Sequence, residues 1–353
     1  MESLESWLRE RITLAAAEAS DAVRQFALEA IAEAPDDDFT EIREGFARVG
    51  VWAFQNPPPV FKVMTSGGQF SVLVGMRPGA TFHLGHLTLM RELSWLIQCG
   101  GQPIFVFAGY EADRFISADD ARAEMARFGE TYLKFTGTSL PETSVGFSDQ
   151  DCRELQVLEN RAAEHLSARK VLQLYGWDEN VSIATLRVPA ITVAAFLLPA
   201  TLFPKRPTLI LSDIYQITHA EATKIVARQL KLSLPSYSYR LLLPSLEGPT
   251  QRMSIKNKKS LILLGETREL VRHKLQRGFS GGRLTPEEQR RDGGDPHRCS
   301  FFKIAEALQP RDTTTQMYQE CVSGTSLCGE CKKKHIPILM DKIHESSVPT
   351  NKA

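Results

Sequence analysis

Between residues 70 and 110 a short apolar run, a turn rich in glycine and proline, a run with helical spacing and a second apolar run follow one another. No other stretch limits the fold as tightly. Phe70-Ser71-Val72-Leu73-Val74 is β-rich, "GMRPGAT" (75–81) is the turn, and "HLTLMRELSWLIQCG" (86–100) carries apolar residues at helical spacing before a glycine stop. "PIFVFAGY" (103–110) is the second strand. Parallel strands must be joined by a crossover, so this βαβ unit commits the chain to a parallel sheet. "RPTLILSDIYQ" (206–216) and "HAEATKIVARQLKL" (219–232) resume the alternation of strand and helix. The expected fold class is α/β, a Rossmann-type parallel sheet with a C-terminal helical domain.

The flanks read differently. Residues 1–60 are expected to be an acidic helical extension, with 12 acids against 5 bases in the first fifty. "NPPP" (56–59) reads as an extended polyproline linker. Residues 61–265 make the Rossmann domain, with a helical insertion around 117–175 that opens on a Ser117 cap. Residues 266–353 make the helical C-terminal domain, and from 252 onward 19 bases face 12 acids. Such a surface attracts phosphates, although a solvated basic face is the plainer reading. An apolar stretch long enough to span a bilayer is not expected, and Met1-Glu2-Ser3-Leu4-Glu5 lacks the features of a secretory signal. The expected location is cytoplasmic.

"FHLGH" (82–86) stands where an α/β fold binds phosphates, after a strand and glycine turn and at a helix start. His83 and His86 can donate to phosphate oxygens, and Gly85 leaves room for a nucleotide against the backbone. Far along the chain, "LEGPTQRMSIKNKKSLILL" (246–264) gathers Arg252, Lys256, Lys258 and Lys259 after a Gly-Pro turn. A cationic loop of that kind stabilises departing pyrophosphate, or else it is a solvated basic loop before a helix.

Together these two elements resemble the HIGH and KMSKS signatures of class I aminoacyl-tRNA synthetases, in the same order and fold context. "LEGPTQRMS", "GFSGGRLTPEEQRRDGG" (278–294) and "CVSGTSLCGECKKKH" (321–335) narrow the resemblance to tryptophanyl-tRNA synthetases of the eukaryotic and archaeal type, over roughly residues 70–340. The resemblance implies a homodimer that activates an amino acid with ATP and Mg2+ and transfers it to tRNA. By position, Arg77, His83, Gly85 and His86 would contact ATP, and Arg252, Met253, Ser254 and Lys256 would form the closing loop. Gly75, Tyr110, Glu111, Tyr215, Gln216 and His219 would face the amino acid.

The departures fall on that last group. The family's T-D-D-E-K strand end is Gly109-Tyr110-Glu111-Ala112-Asp113 here, and its I-D-Q is Ile214-Tyr215-Gln216. A site that hydrogen-bonds its substrate discriminates strongly, so exchanging several polar groups implies a rebuilt amino-acid pocket. The alternative function is a tRNA-independent ligase that adenylates a different acid and passes it to a small amine or carrier. A third is a non-enzymatic RNA-binding regulator, which would have no need to keep both histidines.

Cys299, Cys321, Cys328 and Cys331 are separated by 21, six and two residues. Four thiolates so spaced can ligate a [4Fe–4S] cluster or a tetrahedral zinc, with His335 as a substitute ligand, or remain free thiols. Some bacterial tryptophanyl-tRNA synthetases carry a cluster on a similar pattern, whose longest gap is one residue longer. Cys99, Cys152, His165, His273, His297 and His344 read as ordinary core or surface residues.

Overall fold

The computed structural model describes residues 29–31, 37–79, 81–240, 242–253, 257–309 and 311–345. Most of the segment read as an acidic N-terminal extension therefore lies outside the described residues. The chain divides into two compact units: residues 1–80, 92–128 and 140–241 form the first, and 81–91, 129–139 and 242–353 the second.

The first unit holds a seven-stranded sheet. Its strands are β1 (Glu29–Ala30), β2 (Val51–Gln55), β3 (Phe70–Met76), β4 (Gly101–Phe107), β5 (Val145–Ser148), β6 (Thr208–Ser212) and β7 (Ser236–Arg240), in the order β1-β2-β7-β6-β3-β4-β5. From β7 to β5 every pairing is parallel, while β1 and β2 add antiparallel at one edge. The order reverses at β3, which pairs with β4 on one side and β6 on the other. A reversal of this kind opens a crevice at the carboxyl ends of the strands.

Side chains alternate across the sheet and so build two hydrophobic layers. Leu73, Ile104, Val106, Ile210, Tyr237 and Tyr239 pack with residues of α5 (Arg153–His165), α7 (Ile183–Leu202) and α8 (Ile217–Leu230). Their neighbours in sequence face elsewhere. Phe105 meets Phe128 of α4 (Ala118–Thr136) at 5.1 Å, and Phe54 meets Phe46 of α1 (Thr40–Arg48) at 4.8 Å and Phe61 of α2 (Pro58–Thr65) at 5.0 Å. Helix α6 (Ala168–Tyr175) packs against α7 and α8.

Three expectations need correction here. The prolines of "NPPP" do not make an extended linker, because α2 begins at Pro58, where a missing N–H costs a helix nothing. Residues 117–175 are not helical throughout, since β5 extends the sheet within them. Ser117 does cap α4, accepting from Asp120 N–H at 3.1 Å. Helix α7 is also long and apolar enough to cross a membrane, with mean hydropathy 1.8 over its window. It is a core helix: Val193, Ala194, Leu197 and Leu198 are buried, and a helix enclosed on most sides reads as apolar all round.

In the second unit, β8 (Pro244–Ser245) and β9 (Gly248–Arg252) form a hairpin. Five helices follow: α9 (Arg268–Arg277), α10 (Pro286–Asp292), α11 (Ser300–Leu308), α12 (Arg311–Val322) and α13 (Cys328–Glu345). Thr267 caps α9, and Thr285 with Glu288 forms a capping box on α10, so the chain marks these helix starts itself. Helix α13 packs on α9 and α11.

One carboxylate in the first unit is wholly enclosed. Glu92, on α3 (Leu84–Gln98), is 0% exposed and accepts from Ser238 Oγ at 2.7 Å and Arg240 Nη1 at 3.1 Å. Burial raises its pKa, and the Arg240 charge opposes the shift. Arg240→Met leaves this carboxylate buried without its countercharge, so at pH 7 stability in a urea titration should fall by about 3–5 kcal/mol.

Candidate active site and thiol cavity

The "HLGH" segment belongs to the second unit, and backbone geometry fixes the protons on its rings. Gly85 N–H donates to His83 Nδ1 at 3.0 Å, and His83 N–H donates to His86 Nδ1 at 3.1 Å. A backbone amide can only donate, so each Nδ1 is an acceptor and each neutral ring carries its proton on Nε2. Burial holds His83 neutral, with its pKa lowered to about 4. A Cβ on Gly85 would stand 2.7 Å from His83 Cε1, so the close approach of ring to backbone needs glycine.

The segment after the cationic loop is tied to this motif. Leu264 N–H donates to Phe82 O at 2.7 Å, Leu84 N–H donates to Ile262 O at 3.2 Å, and His83 bridges Leu263. On the loop's other side Arg252 pairs with Pro244, and buried Met253 donates its N–H to Leu243 O. Both ends of the loop are therefore anchored. Ser254 and Lys256 lie outside the described residues, as does the side chain of Arg252.

In the first unit, the residues expected to face an acid stand after the carboxyl ends of neighbouring strands. Gly75 and Arg77 come at the end of β3, Tyr110 and Glu111 after β4, and Tyr215 and Gln216 after β6. The Glu111 carboxyl is raised by desolvation; the Arg77 charge opposes this and Asp149 adds to it. Tyr110 has a tethering role: its hydroxyl donates to Ala184 O at 2.6 Å, and the Arg187 guanidinium lies 5.5 Å from its ring centre. Arg187 in turn pairs with Glu159. Tyr215 is 55% exposed, with its N–H on Asp213 Oδ1, and Gln216 opens α8 half-buried. His219 Nδ1 lies 2.7 Å from the Tyr175 hydroxyl, and burial lowers the ring's pKa to about 4.

Asp149 was missed in the sequence. It follows β5 and accepts the N–H of Gly109 at 2.9 Å and of Tyr110 at 3.2 Å, fixing the turn that carries Glu111. Reading 117–175 as helical hid the strand end on which it sits. The available signal was the short "VGFSD" run, where an acid follows a β-compatible stretch.

The four C-terminal cysteines meet. Cys299, Cys321, Cys328 and Cys331 line one cavity with Phe301, Phe302 and Met317. Among the described residues, no three His, Cys, Asp or Glu side chains stand close enough to share a single metal ion. A tetrahedral zinc needs that convergence, so the zinc reading does not fit the thiols as placed. His335 is buried two turns into α13 and does not line the cavity. Burial pushes the Cys321 and Cys331 thiols up to about 12, with the neighbouring cysteines adding to the shift. Gly282 and Gly294 let the walls close on the sulfurs: a Cβ there would stand 2.9 Å from Cys328 Sγ and 2.8 Å from Cys321 Sγ.

Residues 65–132 match the family model for class I tRNA synthetases of the tryptophan and tyrosine type. The tryptophan–tRNA ligase of Pyrobaculum aerophilum is 28% identical over 304 residues, covering 83% of this chain and 78% of its own length. That of Pyrobaculum calidifontis is 26% identical over 315 residues, covering 86% and 80%. Among solved structures, the tryptophanyl-tRNA synthetase of Aeropyrum pernix matches with a TM-score of 0.80 at 23% identity, over 95% of this chain and 94% of that one. Its tyrosyl counterpart from the same organism matches at 0.65 and 16% identity, over 87% and 94%. The parallel sheet and the glycine turn are accompanied by similarity to class I aminoacyl-tRNA synthetases over residues 65–132. Over most of its length the chain is similar to tryptophan–tRNA ligases.

His83 and His219 are both neutral when folded, with pKa values lowered from 6.5 to about 4. The folded state therefore binds fewer protons than the unfolded chain between these values. The stability these rings lend is complete above pH 6.5 and drains as the pH falls through 4. The urea midpoint should drop across that window, and His219→Gln should make the drop shallower; an unchanged slope in that variant would contradict the assignment.

Proposed function

We propose that the protein activates tryptophan with MgATP and charges tRNA with it. The observation that carries this is the pair of imidazoles at 83 and 86, whose Nε2–H tautomers are dictated by backbone donors, with His83 held neutral by burial. Two neutral N–H donors beside a helix start suit phosphate oxygens of ATP. A carboxylate oxygen of the amino acid attacks the α-phosphorus, the bond to the β-phosphate oxygen breaks, and pyrophosphate leaves with its magnesium. A terminal ribose hydroxyl of tRNA then attacks the acyl carbon, and AMP departs.

In the second unit His83, Gly85 and His86 would hold the nucleotide, and Arg252, Met253, Ser254 and Lys256 would close on the pyrophosphate; in the first, Arg77 would meet a phosphate oxygen. Glu111 would receive the substrate ammonium on a turn pinned by Asp149, and Gln216 and Tyr215 would meet the acid from the end of β6. Gly75, the tethered Tyr110 and His219 would shape the rest of the acid's surroundings. Tryptophan is the acid named in the curated relatives above. The altered strand end at Tyr110 and Ala112 favours a second reading, in which the same ATP chemistry serves another acid. We also place the protein in the cytoplasm as a homodimer, on the strength of the family resemblance.

Amino-acid-dependent ATP–pyrophosphate exchange across the standard amino acids tests this. Exchange with tryptophan, followed by acid-stable aminoacyl-tRNA when total tRNA is added, is the expected result. Exchange with a different acid alone would overturn tryptophan, and exchange with none would overturn the activity. Removing one of the two donors by His86→Ala should lower the exchange rate by about 10²–10³-fold.

The thiol cavity is proposed to hold a [4Fe–4S] cluster. The donor set fits: four cysteines line one cavity, and cysteine thiolates are the ligands such a cluster takes. Phe302 N–H already donates to Cys299 Sγ at 3.3 Å, as sulfurs bearing charge require. When bound, the cluster supplies a structural tie, since adenylation needs no electron transfer. Protein purified anaerobically should be brown, absorb at about 400 nm and carry about four irons per chain. A colourless, iron-free protein overturns the cluster.

A further inference from the structure

The three lysines of "CKKK" are not equivalent. Lys333 and Lys334 are exposed, and Lys334 pairs with Glu320 at 2.9 Å. Lys332 is turned inward. Its Nζ donates to Gln276 O at 2.9 Å and Gly278 O at 2.6 Å, and it stands 5.9 Å from the centre of the Phe301 ring. It is the one formally charged side chain among the described residues lining the thiol cavity.

We propose that Lys332 is a positioning residue for the sulfur-held cluster, supplying the countercharge that lets a negatively charged cluster sit in this pocket, with the cluster's midpoint potential as the readout of that charge. This rests on the cluster reading of the cavity. Four thiolates around a doubly positive core carry a net charge of about −2, and one-electron reduction makes it about −3. In an otherwise apolar pocket each added negative charge is costly, and a fixed cation beside it lowers that cost. The carbonyls of residues 276 and 278 hold the ammonium in place without neutralising it, because neither carries a formal charge. A lysine whose task was to meet RNA would stand in solvent, as its two successors do. The remaining polar wall is Gln289, whose Oε1 lies 3.5 Å from Cys328 Sγ and whose Nε2 donates to Ser326 O at 3.3 Å, so it offers dipoles and no net charge.

The test uses the full-length protein purified anaerobically as wild type, Lys332→Met and Lys332→Arg, with iron content and a redox titration followed by absorbance. Lys332→Met should shift the equilibrium towards the oxidised form by about tenfold, about 59 mV lower in midpoint for one electron. Lys332→Arg should restore the wild-type midpoint. If the methionine variant loses iron while the arginine variant keeps it, the charge requirement also stands. An unchanged midpoint in an iron-loaded methionine variant overturns the proposal and leaves the cluster in place. Loss of iron from both variants assigns Lys332 to packing alone and overturns it as well. An iron-free wild type overturns the cluster reading, and this inference falls with it.

Discussion

The hydrogen-bonded pairing of β3 between β4 and β6 is the constraint on which the first unit depends. Because all three run the same way, their carboxyl ends come out on one side, and the loops that leave them are forced to begin there. Arg77, Glu111 and Gln216 are far apart in sequence, yet each follows one of these strands by a few residues. A slip of one residue would turn Leu73 and Ile210 out of the shared core and Val72 and Leu209 into it. Side-chain alternation therefore fixes the register, and the register fixes which residues reach the strand ends.

Burial, rather than ion pairing, sets the electrostatics of the candidate site. His83 and His219 lose their charge because the surroundings exclude water, and the Glu111 carboxyl is raised mainly for the same reason. The consequence differs by residue. A neutral imidazole remains a donor through Nε2, whereas a carboxylate pushed towards neutrality gains most from an arriving ammonium, which restores its countercharge.

Sequence patterns revealed the βαβ unit, the paired histidines and the clustered thiols because each depends on local spacing. The strand at 145–148 was not legible, since four residues between long helices carry too little periodicity, and Asp149 was lost with it. The helix at Pro58 was hidden by a rule applied one position too widely: proline breaks a helix interior and suits its first turn. Tyr110 was visible only as a departure from a family pattern. That its hydroxyl reaches Ala184, far along the chain, is a tertiary fact that no local reading contains. His335 lies four residues after Cys331, a spacing that fits a ligand, but the helix carries it past the cavity.

The thiols bring together separate pieces of the second unit. Cys299 precedes α11, Cys321 lies near the end of α12, and Cys328 and Cys331 open α13. A group held by all four closes the loops between them, and the entropy removed from the unfolded chain grows with the residues enclosed. Cys328 and Cys331, on adjacent helical turns, enclose almost nothing, so the stabilisation from the proposed cluster would come from joining Cys299 and Cys321 to that pair. The glycines at 282 and 294 make the joining possible, because any larger residue would hold the walls away from the sulfurs. With the "CGECK" segment serving at once as helix start and as wall of the cavity, the readings of it as a helix start and as a ligand run are compatible.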